Sequence, residues 1–275
     1  MDMQFFPTVT ELEQNLPFYL TTAGHWDRQD HVRRPDGYDS YQWLQCSGGE
    51  GRLLLNGEEH IIKANQGFFL YPRVPHEYYP IASRWDIDWI AFGGTGWESF
   101  SKASGIAGSG VFMVTHPEAI ILQIQSLLTL ARSSSLINGL ESSKIVYSIL
   151  LDLMKYATSS NVTVQQQYTR LQPVLEYMAR HYNESISLET LSATIGVTPQ
   201  YLCNLFKAAI KMRPFEYLNT LRVNQGKKIM VEESGVKISE LAERLGYESA
   251  SYFCAVFKRI AGISPERFRK THALY

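Results

Sequence analysis

The last third of the chain repeats itself. Leu191-Ser192-Ala193-Thr194-Ile195-Gly196 is matched by Leu241-Ala242-Glu243-Arg244-Leu245-Gly246. After a one-residue insertion, Tyr201-Leu202-Cys203-Asn204-Leu205-Phe206-Lys207 is matched by Tyr252-Phe253-Cys254-Ala255-Val256-Phe257-Lys258, and Pro214 and Tyr217 by Pro265 and Phe268. Such self-similarity marks one supersecondary unit used twice. Each copy reads as a short helix, a glycine turn and a second helix. Gly196 and Gly246 stand where a helix ends in the left-handed conformation that glycine adopts without a Cβ clash. Thr198 followed by Pro199, and Ser249, supply the start signals of the second helices. Leu202, Leu205 and Phe206 form the inward stripe of one second helix, and Phe253, Val256 and Phe257 that of the other. This leaves Gln200, Cys203, Asn204 and Lys207 outward on the first, and Ala250, Ser251, Cys254, Ala255 and Lys258 outward on the second. A helix with such a face fits the major groove of duplex DNA. One helical hairpin alone could be plain packing, and two could form a helical repeat scaffold.

Charge helps to decide between these readings. The net charge of −1 hides an asymmetry. Residues 1–169 hold 11 Lys and Arg against 17 Asp and Glu, and residues 170–275 hold 15 against 10. A basic half that also carries the duplicated hairpin predicts a polyanionic partner, bound through phosphates with release of counterions. Cys203 and Cys254 occupy equivalent places in the two copies. They read as small residues in place of serine, with a redox pair as the rival reading. Three cysteines, odd in number and far apart, fit a reducing compartment without a disulfide framework. The first residues, Met1-Asp2-Met3-Gln4-Phe5-Phe6, lack the basic and apolar regions of a secretory signal. No apolar run approaches the roughly 18 residues of a membrane span.

The 275 residues are enough for two domains. Residues of about 18–112 read as β, in short alternating runs. Tyr41-Gln42-Trp43-Leu44-Gln45 precedes the turn Gly48-Gly49-Glu50-Gly51. Arg52-Leu53-Leu54-Leu55 precedes the hairpin signal Asn56-Gly57. His60-Ile61-Ile62 and Gly67-Phe68-Phe69-Leu70-Tyr71-Pro72 follow. Many short strands at close spacing predict a sandwich or small barrel. From Pro117 the period becomes helical, through Ile120, Ile121, Ile124, Leu127 and Leu128, and again through Ile145, Ile149, Leu150 and Leu153. These two helices, about 117–156, could pack on their own domain or on another subunit. Residues 161–169 are polar and read as a linker.

The run Ile238-Ser239-Glu240-Leu241-Ala242, Gly246-Tyr247, Ser251-Tyr252-Phe253, Phe257-Lys258, Gly262-Ile263-Ser264-Pro265 and Phe268-Arg269 closely resembles the signature of AraC-type transcriptional regulators. The resemblance is strong over about 171–271. It implies two helix-turn-helix units, about 188–209 and 238–260, joined by one long helix at about Pro214–Met230. Their recognition helices would enter successive major grooves, roughly 34 Å apart. The family's base-reading positions fall on Gln200, Cys203 and Asn204, and on Ala250, Ser251, Cys254 and Ala255. Family members often carry arginine where Asn204 and Ala255 stand. Gln and Asn can pair bidentately with adenine, whereas Ala and Cys suit only a thymine methyl. The first unit is therefore expected to read bases. The second would anchor the protein on phosphates through Lys258 and Arg259, with Lys207 and Arg222 helping on the first side.

The β region resembles the family's sugar-sensing, cupin-like N-terminal domain. The residues are Arg34-Pro35, Gly49-Glu50-Gly51 and Gly67 at strand turns, Pro72-Arg73-Val74-Pro75-His76-Glu77-Tyr78, and Trp85, Trp89 and Phe92. By resemblance to the arabinose-responsive member, Arg34, Tyr78 and Trp89 fall on ligand-contacting positions, with Tyr38 and His76 nearby. That member's ligand histidine aligns with Ile87. A different saccharide, or a more apolar effector, therefore fits as well. An aromatic face for a sugar ring and forked Arg donors for hydroxyls suit such a pocket. Trp85, Trp89 and His76 could equally be core residues. Gly67, Pro72 and His76 resemble the second cupin motif, but the first motif's histidines are absent from Tyr41-Gln42-Trp43-Leu44-Gln45. One histidine does not hold a catalytic metal, so neither a metal, a cofactor nor an enzyme is expected.

The sequence thus predicts an α+β chain of two domains. Residues 1–160 would form a cupin-like β-barrel with appended helices, for effector binding and dimerisation, and residues 170–275 an all-α double helix-turn-helix domain. The resemblance implies a cytoplasmic, sugar-responsive activator that dimerises through its N-terminal domain. Its partners would be double-stranded DNA, a saccharide effector and RNA polymerase, with no membrane. Two rivals stand beside it: a barrel that is a ligand-free docking module, and a cupin enzyme with a regulatory appendage.

Overall fold

The computed structural model describes residues 3–130, 138–158, 164–233 and 235–272. The chain divides into two units, Met1–Gln165 and Gln166–Tyr275. Each carries its own hydrophobic clusters.

The N-terminal unit runs β1 (Met3–Phe5), α1 (Glu11–Gln14), β2 (Tyr19–Trp26), β3 (Val32–Arg34), β4 (Tyr41–Leu55), β5 (Glu58–Lys63), β6 (Gln66–Leu70) and β7 (His76–Gly93). It continues with α2 (Trp97–Ser104), β8 (Gly110–Val114), α3 (Pro117–Leu130), α4 (Asn138–Tyr156) and β9 (Ala157–Thr158). All pairings are antiparallel, along the path β1-β2-β7-β4-β6-β8-β9, with β3 on β7 and β5 on β4. The path does not close, so the expected barrel is a curled open sheet.

Two long strands make the curl. The expected turn at Gly48-Gly49-Glu50-Gly51 is instead the middle of β4, with register shifts between Cys46 and Gly48 and between Gly49 and Gly51. Such bulges bend a strand without ending it. Glycine is required here for steric reasons. Gly49 has φ +76°, and a Cβ on Gly51 would sit 2.2 Å from the Trp85 ring. Gly67, also expected at a turn, lies inside β6 beneath the Trp43 ring. At Asn56-Gly57 both residues have positive φ, which is the two-residue hairpin between β4 and β5 that the sequence predicts.

Strand alternation gives the sheet two faces. Tyr41, Trp43, Ile90 and Phe92 pack into a core with α3 and α4, whereas Leu44, Ile87 and Trp89 join a second cluster on the opposite face. Ile120, Ile124, Leu127 and Leu128 of α3, and Val146, Ile149, Leu150 and Leu153 of α4, are the buried faces of those helices. The helix α2, buried through Trp97 and Phe100, interrupts the stretch expected to be all β.

The C-terminal unit is helical: α5 (Val164–His181), α6 (Leu188–Ala193), α7 (Pro199–Ile210), α8 (Pro214–Glu232), α9 (Ile238–Arg244), α10 (Ala250–Ala261) and α11 (Pro265–His272). Of the expected linker 161–169, residues 161–163 lie outside the described residues, and the chain is helical from Val164. The pairs α6–α7 and α9–α10 are the two copies of the repeat, and α8 joins them. Gly196 and Gly246 have φ +65° and +77°. The Thr198 hydroxyl accepts from the Tyr201 backbone N–H at 3.2 Å, and that of Ser249 from Tyr252 at 3.4 Å, capping α7 and α10.

Candidate DNA-binding face and effector pocket

On α7, Leu202, Leu205 and Phe206 are buried, and the spacing of Gln200, Cys203, Asn204 and Lys207 puts them on one opposite face. Gln200, Asn204 and Lys207 are exposed, and Cys203 is half-buried. On α10, Phe253, Val256 and Phe257 are buried. Ser251, Ala255, Lys258 and Arg259 are exposed, and Ala250 and Cys254 are half-buried. Among the described residues no carboxylate pairs with Lys207, Lys258 or Arg259. These cations are therefore free for phosphates.

Arg222 does not share that face. Its Nε donates to the Tyr182 carbonyl at 2.6 Å and its Nη2 to the Glu184 carbonyl at 2.8 Å. Burial pushes its pKa down, against the nearby Tyr247 and Tyr252. A guanidinium held by two carbonyls is committed within the protein, which corrects the expectation of a phosphate contact. Arg170, which sequence reasoning missed, is a better candidate. It is exposed on α5, donates to the Tyr201 hydroxyl at 2.8 Å and lies over that ring, beside the outward face of α7. Only the fold brings α5 and α7 together, so no local sequence signal marks it.

In the N-terminal unit a cavity of about 330 Å³ opens on the sheet face opposite α3 and α4. Arg34, Tyr38, Tyr78 and Trp89 all line it. So do Thr22, Trp26, Gln29 and Gln42, which the sequence did not single out, and Gln4 and Phe6 of the N-terminal segment. Trp89 lies flat because Gly24 is its cross-strand partner: a Cβ there would fall 2.1 Å from the indole. Trp26 stacks beside it, with ring centroids 5.7 Å apart and 11° between planes. The Arg34 Nη1 donates to Gln42 Oε1 at 3.0 Å, and the guanidinium lies over the Tyr38 ring at 4.5 Å. No carboxylate among the described residues pairs with Arg34. The Thr22 hydroxyl is buried at the wall without a hydrogen-bond partner. A register shift between Leu20 and Thr22 explains its direction. Leu20 and Ala23, three residues apart, both face the helices, and the extra residue turns Thr22 toward the cavity. Burial pushes the Tyr78 phenol up, so it stays a neutral donor.

Two expected pocket residues fall elsewhere. Ile87 is fully buried in the cluster with Leu44 and Trp85, because its side chain belongs to the packed end of β7. His76 lines a separate hollow of about 500 Å³ behind Arg34. Its ring stacks parallel to Tyr78, and Nδ1 sits 2.8 Å from the Val74 carbonyl. Burial pushes its pKa down, so the neutral ring donates from Nδ1 and leaves Nε2 as a buried acceptor.

The two units, one with a ligand-sized cavity and one with a duplicated helical hairpin, are those of a DNA-binding transcription regulator with a ligand-binding domain rather than of an enzyme, as the family matches and relatives show. Residues 18–150 match the AraC-like ligand binding domain, and residues 191–271 match a helix-turn-helix domain. The lactose operon transcription activator of Staphylococcus xylosus is 24% identical over 225 residues, 80% of each chain. The raffinose operon transcriptional regulatory protein of Pediococcus pentosaceus is 24% identical, over 85% of this chain and 86% of its own. The arabinose operon regulatory protein of Salmonella typhimurium is 23% identical over 86% of each. The chain belongs to the AraC family of transcriptional regulators. Among the described residues, no helix is long and apolar enough to cross a membrane.

Proposed function

We propose that this regulator senses a saccharide in the cavity beneath Trp89. The observation that carries the reading is one cavity lined by the flat, glycine-backed Trp89 ring, by Arg34 with no carboxylate partner among the described residues, and by a partnerless Thr22 hydroxyl. An aromatic floor packs against the apolar face of a sugar ring, and a buried hydroxyl and a forked cation take its hydroxyl groups. The sugar-operon relatives agree with this class. Gln4 and Phe6 give the effector a grip on the N-terminal segment, so binding would bias where that segment rests, provided the two arrangements differ in affinity. A panel of mono- and disaccharides should raise the melting temperature with at least one sugar. Arg34→Ala should abolish that rise and leave DNA binding intact. If no sugar stabilises the protein while DNA binding persists, the N-terminal sheet domain is a docking module instead.

On the DNA, α7 reads bases through Gln200 and Asn204, and α10 anchors through Lys258 and Arg259. Asn204→Ala should relax sequence preference by about 1–3 kcal/mol at one position. Lys258→Ala should weaken specific and scrambled duplexes alike. The reverse pattern would overturn the assignment. The protein acts as a cytoplasmic homodimer that activates transcription with RNA polymerase, and α4 is the dimerisation surface. Besides its buried face, α4 exposes Leu140, Tyr147 and Leu151, and Tyr147 rims an apolar hollow of about 590 Å³ with Phe18, Phe100 and Ala103.

A further inference from the structure

Several contacts tie the two helix-turn-helix copies together, and they meet at the middle of α8. Arg222 projects from α8 and holds the backbone of the turn ahead of the first copy, through the Tyr182 and Glu184 carbonyls. The same guanidinium lies 5.1 Å from the centre of the Tyr247 ring, in the turn of the second copy. Tyr247 in turn donates its hydroxyl to Asn219 Oδ1 at 3.0 Å, one turn back along α8. Gly246 seals the arrangement. At φ +77° its backbone presses against residue 183, and a Cβ there would lie 2.5 Å from the Asn183 carbonyl oxygen and 3.0 Å from Arg222 Nη2. Tyr182 packs into both hydrophobic clusters.

We propose that Arg222 is a positioning residue that locks α7 and α10 at one separation and phase, so that the protein selects duplexes by the spacing of their two half-sites. Two recognition helices on successive grooves must match the groove repeat, and a rigid connection sets the effective concentration of the second helix once the first is seated. A planar fork that binds two carbonyls and stacks on an aromatic face fixes three elements at once. A lysine offers only a point charge and cannot replace it. The proposal rests on the duplicated unit binding DNA, but the first measurement below does not need DNA.

Cys203 and Cys254 sit half-buried at equivalent places on α7 and α10, while Cys46 is fully buried. Spin labels on the two helix cysteines of the full chain, diluted with unlabelled protein, read the distance between the recognition helices. A single narrow distribution is expected for the parent protein. A broadened one is expected for Arg222→Ala and for Arg222→Lys, with helix content by circular dichroism unchanged. The second measurement uses duplexes enriched from random sequence by the parent protein. Arg222→Ala should lose about tenfold or more on the two-site duplex, lose nothing when the second half-site is scrambled, and tolerate inserted base pairs better than the parent. An unbroadened distribution, or an equal loss on both duplexes, overturns the proposal. Failure of the parent protein to enrich any duplex would refute DNA binding, and the distance distribution would still decide on the clamp.

Discussion

At the scale of single residues, the pocket depends on what is missing as much as on what is present. Gly24 makes room for the Trp89 indole, so Gly24→Val should push that ring off the cavity wall. The expected outcome is loss of effector-induced stabilisation, with an overpacking cost of about 1–3 kcal/mol, read by denaturant titration with and without ligand. Two histidines of this unit, His25 and His76, are shifted in opposite senses. His25 lies between Asp88 Oδ1 at 2.8 Å and Asp27 Oδ1 at 3.1 Å. Burial opposes its charged form, but Asp27 and Asp88 outweigh it, and its pKa is raised. His25 therefore contributes stability below its unfolded pKa of about 6.5 and loses it as pH rises through the higher folded value. His76, with its lowered pKa, behaves oppositely: its contribution is present at high pH and is lost as pH falls through the folded value. A melting profile across this range mixes the two. The difference between the parent and His25→Asn isolates the first, and it should shrink as pH rises; a constant difference would refute the assignment. That Arg34, Tyr38, Tyr78 and Trp89 share one cavity was legible in the sequence from the family positions they fall on. Thr22 and Gln42 were not, since a bulge and a cross-strand neighbour decide where they point.

At the scale of elements, local signals served best where they act within one turn. The caps at Thr198 and Ser249 and the left-handed glycines bound the repeated helices as their sequence implies. Ser249→Ala removes the hydroxyl that accepts from Tyr252, and should cost about 1 kcal/mol in the stability of the C-terminal unit. Thr198→Ala should cost less, because Pro199 already holds the first residue of α7 at a helical φ. Chemical denaturation followed by helix signal compares the two. The Gly48–Gly51 stretch misled for a physical reason. Glycine marks turns and bulges alike, and only pairing with a partner strand, here β7, separates them. The helix α2 was hidden by its neighbourhood of β-forming residues, and Arg222 by its basic charge. Nothing local distinguishes an arginine that binds carbonyls from one that waits for phosphate.

At the scale of the whole molecule, the division into an acidic half and a basic half was visible in the charge count. It places the free cations Lys207, Lys258 and Arg259 on the unit that carries the repeat. DNA affinity should fall steeply with salt, and Lys258→Ala should flatten the logarithmic slope by about one while Asn204→Ala leaves it unchanged. Sedimentation tests the proposed α4 surface: the parent should run as a dimer and Leu151→Glu as a monomer, with its melting temperature little changed, and a monomeric parent would overturn the proposal. Within the N-terminal unit, the sheet connects the cavity to α3 and α4 in a way that sequence patterning could not reveal. Along β4, Tyr41 and Trp43 face α3 and α4 while Gln42 between them lines the cavity; along β7, Trp89 faces the cavity and Ile90 the helices. The proposed sensing cavity and the helix layer are therefore opposite surfaces of one pleated wall, a single backbone thick. A signal crossing it need travel no further than from one residue to the next, and mutations that retune what is sensed will tend to disturb what the helices hold.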